Sequence, residues 1–73
     1  MQRYADIDND SGVSSFEIGD TYIDVWFKNG SKSYRYSYNS AGQHHVDNMK
    51  RLAKAGEGLN SYINKNVKRK FER

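Results

Sequence analysis

The pattern nearest to a known chemical site is a run of acidic residues near the N-terminus. A twelve-residue window carries carboxylates at positions 1, 3, 5 and 12, the spacing of an EF-hand calcium loop, supplied by Asp6, Asp8, Asp10 and Glu17. Position 6 of the window is Ser11, where the loop needs glycine, and the residues that follow alternate like a strand instead of repeating like a helix. The sequence therefore favours an acidic turn without a metal, and calcium binding stays open as an alternative.

Few residues suit catalysis. The chain has no cysteine and only two histidines, His44 and His45, which point about 100° apart if they lie on a helix and so cannot chelate one metal ion together. His44 and Asn48 have helical spacing, but two weak ligands do not make a metal site. Without a defined base and a residue to orient it, the serines form no nucleophilic triad. We therefore expect a protein that is not an enzyme and needs no cofactor.

Basic residues concentrate in the second half of the chain. Residues 1–39 carry four basic and six acidic residues, whereas residues 40–73 carry eight basic and three acidic ones. Such asymmetry favours an anionic partner, although exposed lysines on a helix also serve only for solvation. The residues that we expect to contact phosphates are Lys65, Lys68, Arg69, Lys70 and Arg73.

A second candidate surface combines aromatic rings with a cation. Tyr22 and Trp26 fall on the same side of a predicted strand, with Arg35 diagonal to both on the next strand. Rings beside a guanidinium are typical of surfaces that stack single-stranded bases. The alternative is that the N-terminal strand or a partner chain covers Trp26.

Three strands are predicted to position these residues. Residues 5–12 are polar and rich in turn formers, so residues 1–12 are interpreted as a flexible lead-in to one small domain over residues 13–73. The strands are expected at Val13 to Ile18, Thr21 to Phe27 and Lys32 to Tyr38. Asn29-Gly30 between the last two is a strong hairpin signal.

The hairpin turn fixes the register. Counting outward from Asn29-Gly30 places Val25 opposite Tyr34, and by the same count Asp24 lies opposite Arg35. Ile23, Val25 and Phe27 then share a buried face with the tyrosines of the return strand. Asp24 and Arg35 are expected to form an exposed ion pair on the other face.

Two helices are predicted after the strands. Ser40 and Gln43 have capping-box spacing, and Gly56 offers a stop after Ala55. A second helix begins near Leu59, and its apolar residues recur every four positions as Leu59, Ile63, Val67 and Phe71. The predicted fold is therefore α+β: a three-stranded antiparallel meander followed by two α-helices packed on one face.

The same residues resemble the KTSC domain, a short domain that occurs alone in bacteria and phages or at the C-terminus of some lysyl-tRNA synthetases. The similar segments are Val13-Ser14-Ser15, Ile18-Gly19, Val25-Trp26-Phe27, Tyr34-Arg35-Tyr36, Leu52-Ala53 and the run from Gly56 to Ile63. The resemblance supplies no catalytic residue. Its association with synthetases implies RNA binding.

We therefore expect a non-catalytic nucleic-acid-binding module that prefers RNA. The alternative is a small bacterial or phage interaction protein that binds a host protein or sequesters a nucleotide. No apolar run approaches a membrane span or a signal peptide, so the expected location is the cytoplasm.

Overall fold

The computed structural model describes residues 2–5, 12–28, 30 and 32–72. Its four strands are β1 (Gln2–Arg3), β2 (Val13–Ile18), β3 (Tyr22–Phe27) and β4 (Ser33–Ser37). Its helices are α1 (Gln43–Ala55) and α2 (Leu59–Tyr62), and α2 continues directly into a π-helix at Ile63–Val67. The predicted α+β class is confirmed, with an antiparallel sheet of four strands where three were expected.

The sheet has the order β1-β2-β3-β4, and the predicted pairing of β3 with β4 is confirmed. Val25 lies opposite Tyr34, and Asp24 lies opposite Arg35. The amide of Gly30 donates to the carbonyl oxygen of Phe27 across the connecting turn. Asn29, the other residue of the predicted hairpin signal, lies outside the described residues.

The additional strand belongs to the segment predicted as a flexible lead-in. Gln2 and Arg3 pair with β2, and the Tyr4 amide donates to the carbonyl oxygen of Ser14. Tyr4 is only 3% exposed, and its hydroxyl accepts a hydrogen bond of 3.2 Å from the Leu59 amide. Residues 2–4 are therefore part of the folded domain. A two-residue strand has no alternation that a sequence pattern could reveal.

A β-bulge allows β2 to bury two residues of opposite parity. Val13 lies opposite Phe27 and Ser15 lies opposite Trp26, so Ser14 is an extra residue in the ladder. Side chains in a regular strand alternate between faces, and one inserted residue shifts that alternation. Val13 can therefore reach the core that also buries Phe16, three positions later.

The helices close the core over one face of the sheet. α1 packs against β3 and β4 and buries Val46, Met49 and Ala53. Gly56 ends α1 in a left-handed conformation with φ of 77°, as predicted, and its amide donates to the carbonyl oxygen of Leu52. Burying side chains of the size of Val46 and Met49 stabilises a fold by about 1.5 to 3 kcal/mol each.

The start of α1 differs from the prediction. Gly42 precedes the helix, with φ of 96°, and no side chain caps it. Ser40 instead exchanges hydrogen bonds with Ser37: each side-chain oxygen accepts from the other residue's amide, at 3.0 and 3.1 Å. The capping box of Ser40 and Gln43 is therefore wrong, because the serine is engaged in the preceding turn.

The second predicted helix also ends earlier than expected. Leu59, Ile63 and Val67 are buried as the four-residue spacing predicts, but regular helix stops at Val67. Lys70 donates its amide to the Val67 carbonyl oxygen, and Glu72 donates its amide to the Arg35 carbonyl oxygen at 2.6 Å. The C-terminal segment therefore turns away from the helix axis and runs beside β4.

Candidate nucleic-acid interface

A cavity of about 550 Å³ lies where the β3–β4 hairpin meets this C-terminal segment. Its lining comes from the inward-facing side of the hairpin, from the π-helix and from the turn that follows it. The described residues that line it are Phe27, Gly30, Lys32, Tyr34, Tyr36, Ile63, Asn64, Lys68, Arg69 and Phe71. The volume lies in the range typical of small-molecule sites.

Aromatic rings form the apolar part of the cavity. Tyr34 contacts Phe27 with ring centroids 5.6 Å apart and Phe71 with centroids 4.8 Å apart, and both contacts are edge-to-face. Phe71 also meets Tyr36 edge-to-face at 6.1 Å. Rings packed in this way do not lie face against face, and Phe27, Tyr34 and Phe71 each remain partly exposed. The cavity therefore offers ring surface to a flat ligand.

Three cations line the same cavity. Lys32, Lys68 and Arg69 are exposed residues of its wall, and none of the described lining residues is acidic. Glu72 is exposed close by in sequence, but it is not part of the lining. A wall of rings with three positive charges suits an anionic ligand that carries an aromatic group.

The buried Val67 fixes the position of the basic turn. Val67 is fully buried and ends the π-helix, so Lys68 and Arg69 follow directly from an anchored residue. Phe71 then packs on the tyrosines of β4, and the amide of Glu72 binds the Arg35 carbonyl oxygen. Contacts on both sides of the turn therefore hold its two cations beside the aromatic wall.

Burial also affects the chemistry of the cavity floor. It raises the pKa of Tyr36 to about 12, with a smaller contribution from Tyr34. The raised pKa extends the pH range over which the Tyr36 phenol stays neutral, and the neutral phenol has a proton that it can donate.

The predicted phosphate-binding residues are only partly brought together. Lys68 and Arg69 line the cavity, while Lys65 is exposed on the π-helix and Lys70 is exposed just beyond the turn. Arg73 lies outside the described residues. A single basic helix face was expected, but the helix ends at Val67.

Of the ten described residues that line the cavity, sequence reasoning predicted only Lys68 and Arg69 as site residues, and the missed ones include Phe27, Lys32, Tyr34 and Phe71. It assigned the three aromatic residues to the core, and Lys32 to the return strand. The available signal was that Lys32 lies two residues before the inward-facing Tyr34, beside the turn of the hairpin, and so on the same side of the chain. The missing information was the path of the C-terminal segment, which local patterns do not give.

The predicted stacking surface lies on the opposite face of the sheet. The guanidinium of Arg35 binds Asp24 through two hydrogen bonds of 2.8 and 3.1 Å, and it lies 3.9 Å from the centroid of the Tyr22 ring. The hydrogen bond to Asp24 raises the pKa of Arg35 further above its usual value. The Tyr22 ring also lies so close to Gly19 that a Cβ there would come within 2.2 Å of it.

Tyr22 and Arg35 are therefore already engaged with each other and with their neighbours. Asp24 is 7% exposed, so the predicted exposed ion pair is wrong for the carboxylate, which a central strand buries. Trp26 is half-buried on this face, and β1 pairs with the edge of β2 without crossing it. The stacking role of these residues stays a prediction.

The histidines belong to a polar cluster that links the two helices. The Tyr62 hydroxyl lies 2.7 Å from His45 Nδ1 and accepts a hydrogen bond of 3.2 Å from Asn48. Asn48 Nδ2 also lies 3.3 Å from His44 Nε2. Within the described part of the chain, no three potential ligands come together around a metal site. The aspartates of the calcium-loop pattern lie outside the described residues.

Comparisons with family models, with curated proteins and with solved structures found no match. The resemblance to the KTSC domain therefore stays a prediction. Within the described ranges, the helices are too short and too polar to cross a bilayer.

Proposed function

We propose that the chain is a non-catalytic nucleic-acid-binding module that prefers RNA. The observation that carries the proposal is the meeting of Lys32, Lys68 and Arg69 with an aromatic wall in one cavity. Nucleic acids present the complementary groups, because phosphates bind cations and unpaired bases stack on rings.

The charge distribution supports the same partner. Lys65 and Lys70 flank the cavity residues on exposed positions, and the second half of the chain carries a net charge of +5. These exposed cations, close in sequence to the cavity residues, add positive charge for a phosphate backbone. Arg73 extends the basic sequence and belongs to the proposed phosphate-binding set. The preference for RNA depends on the resemblance to the KTSC domain.

The salt dependence of binding tests this proposal. We would measure the anisotropy of a labelled single-stranded RNA of mixed sequence at several potassium chloride concentrations, with a DNA of the same sequence in parallel. Each phosphate contact to a single strand contributes a slope of about −0.7 in log affinity against log salt. Replacing Lys68 and Arg69 by glutamine should flatten the slope by about 1 to 1.5 units.

A matched control is available on α1. Arg51 and Lys54 are also one exposed arginine and one exposed lysine, so replacing both by glutamine removes the same charge away from the cavity. That pair should leave the slope nearly unchanged. Equal effects of the two pairs would mean that binding follows net charge and not the cavity.

Absence of RNA binding by the parent at low salt would contradict the proposal. The alternative, a small interaction protein, would then be favoured. Tighter binding of the DNA than of the RNA would overturn the RNA preference alone.

A further inference from the structure

We propose, building on the proposed function, that the cavity takes one unstacked nucleotide of a single-stranded RNA. The base lies against the rings of Tyr34 and Phe71, and its phosphate lies beside Lys68 and Arg69. The inference commits to one binding site and one kind of ligand, whereas a basic surface alone would bind phosphates without selecting unstacked bases.

The dimensions of the cavity support a single nucleotide. A cavity of about 550 Å³ lies within the size range of small-molecule sites, and this one is open to solvent, so a nucleotide that is part of a strand can enter it. The rings line this cavity instead of forming a flat outer surface. A base in a duplex has neighbours on both faces, so only an unstacked base can place a face against Tyr34 or Phe71.

The distribution of polar groups supports a nucleotide over an apolar or acidic peptide. Lys32, Lys68 and Arg69 supply positive charge for a phosphate, and the rings beside them supply stacking surface. Asn64 and Tyr36 also line the cavity, with an amide and a neutral phenol that can bind the edge of a base. An acidic peptide would use the cations and leave the rings without a flat partner.

Mononucleotides test the site directly by NMR. We would titrate the full-length, ¹⁵N-labelled protein with adenosine and uridine 5′-monophosphates, and separately with adenosine and with inorganic phosphate. The nucleotides should shift the backbone amides of Gly30, Tyr34, Asn64 and Phe71 more than adenosine or phosphate does at equal concentration. Shifts centred on Trp26, or no shift with any nucleotide in a protein that binds RNA, would overturn the inference.

A ring substitution tests the stacking. Phe71→Leu keeps an apolar side chain but removes the ring, and losing one base–aromatic stack should weaken binding of RNA and mononucleotide by about fivefold to a hundredfold. Tyr38→Leu is the control, because Tyr38 is a half-buried aromatic residue next to the end of β4 that does not line the cavity. If Phe71→Leu unfolds, Tyr34→Leu replaces it, with thermal melting as the check on folding.

The two proposals fail in different ways. If Phe71→Leu and Tyr34→Leu fold and bind RNA as tightly as the parent, the nucleotide site is overturned, but the proposal of an RNA-binding module is not. If the protein binds mononucleotides in the cavity but does not bind RNA, the proposed function is contradicted, and so is RNA as the source of the ligand. The cavity would then be a site for a free nucleotide.

Discussion

Tyr4→Phe is the substitution that best tests how the N-terminal strand contributes to the fold. The hydroxyl of Tyr4 accepts a buried hydrogen bond from the Leu59 amide, a contact between residues 55 positions apart. Leu59 is the first residue of α2, so its amide has no partner within the helix. The substitution removes only the oxygen that satisfies this amide and keeps the ring.

The size of the effect follows from burial. A hydrogen-bonding group that is left buried without a partner costs about 1 to 3 kcal/mol. For a chain of 73 residues the whole free energy of unfolding is about 4 to 11 kcal/mol. At about 4 to 8 °C per kcal/mol, Tyr4→Phe should lower the Tm by about 4 to 24 °C. Tyr4→Ala should cost more, about 3 to 5 kcal/mol, because the buried ring is lost as well.

The assay is urea unfolding followed by the fluorescence of Trp26, the only tryptophan. Tyr4→Phe should shift the midpoint without changing the slope of the transition. Tyr38→Phe is the matched control. The Tyr38 hydroxyl donates to Asp47 at 2.8 Å in an exposed position, so water can take the place of the hydroxyl when it is removed. Equal midpoints for Tyr4→Phe and the parent would refute the role of the hydroxyl, and equal midpoints for Tyr4→Ala would refute the packing of the segment.

Three other predictions concern the sheet. Gly19→Ala should lower the free energy of unfolding by about 1 kcal/mol, because the new Cβ must displace the Tyr22 ring. The loss should be smaller in a Tyr22→Ser background, and equal losses in thermal melts of the two backgrounds would contradict this. Arg35→Met should lower the Tm more than Asp24→Asn does. The first variant leaves the Asp24 carboxylate, which is only 10% exposed, without its partner, whereas the second leaves Arg35, which is 46% exposed and stays hydrated. The reverse order of Tm values would contradict this. The free energy of unfolding should fall between pH 10 and pH 12, because Tyr36 loses its proton near pH 10 in the unfolded chain but only near pH 12 in the folded one. An equal fall in Tyr36→Phe would contradict this.

Local rules were enough to predict the centre of the sheet. The strict alternation of β3 and the length of the hairpin connection fixed which residues face each other, and Val25 lies opposite Tyr34 as expected. Gly56 ends α1 for an equally local reason, since the left-handed conformation there suits glycine. Where a feature depends on neighbours in the sequence, a single sequence contains the information.

The errors have more than one origin. Tyr4 belongs to the core because of Leu59, and Ser40 is engaged by Ser37 instead of capping α1. Asp24 is buried because it lies on a central strand between neighbours on both sides. Only the Tyr4 contact depends on groups that the fold brings together from distant parts of the sequence. Ser37 and Ser40 are three residues apart, so two local patterns competed for one serine, and the predicted meander already placed Asp24 on its middle strand without indicating that the face would be covered.

The candidate site illustrates both cases. The basic residues after Val67 were predicted by type, but their geometry was assigned to a continuous helix that would have put Phe71 on the core ladder. The chain instead leaves the helix, and Phe71 packs edge-to-face on Tyr34. Arg35 contributes to this arrangement through its backbone: its guanidinium is held by Asp24 on the far face, while its carbonyl oxygen accepts from the Glu72 amide. A backbone carbonyl is present whatever the side chain, so no motif could have indicated that position 35 helps to close the cavity.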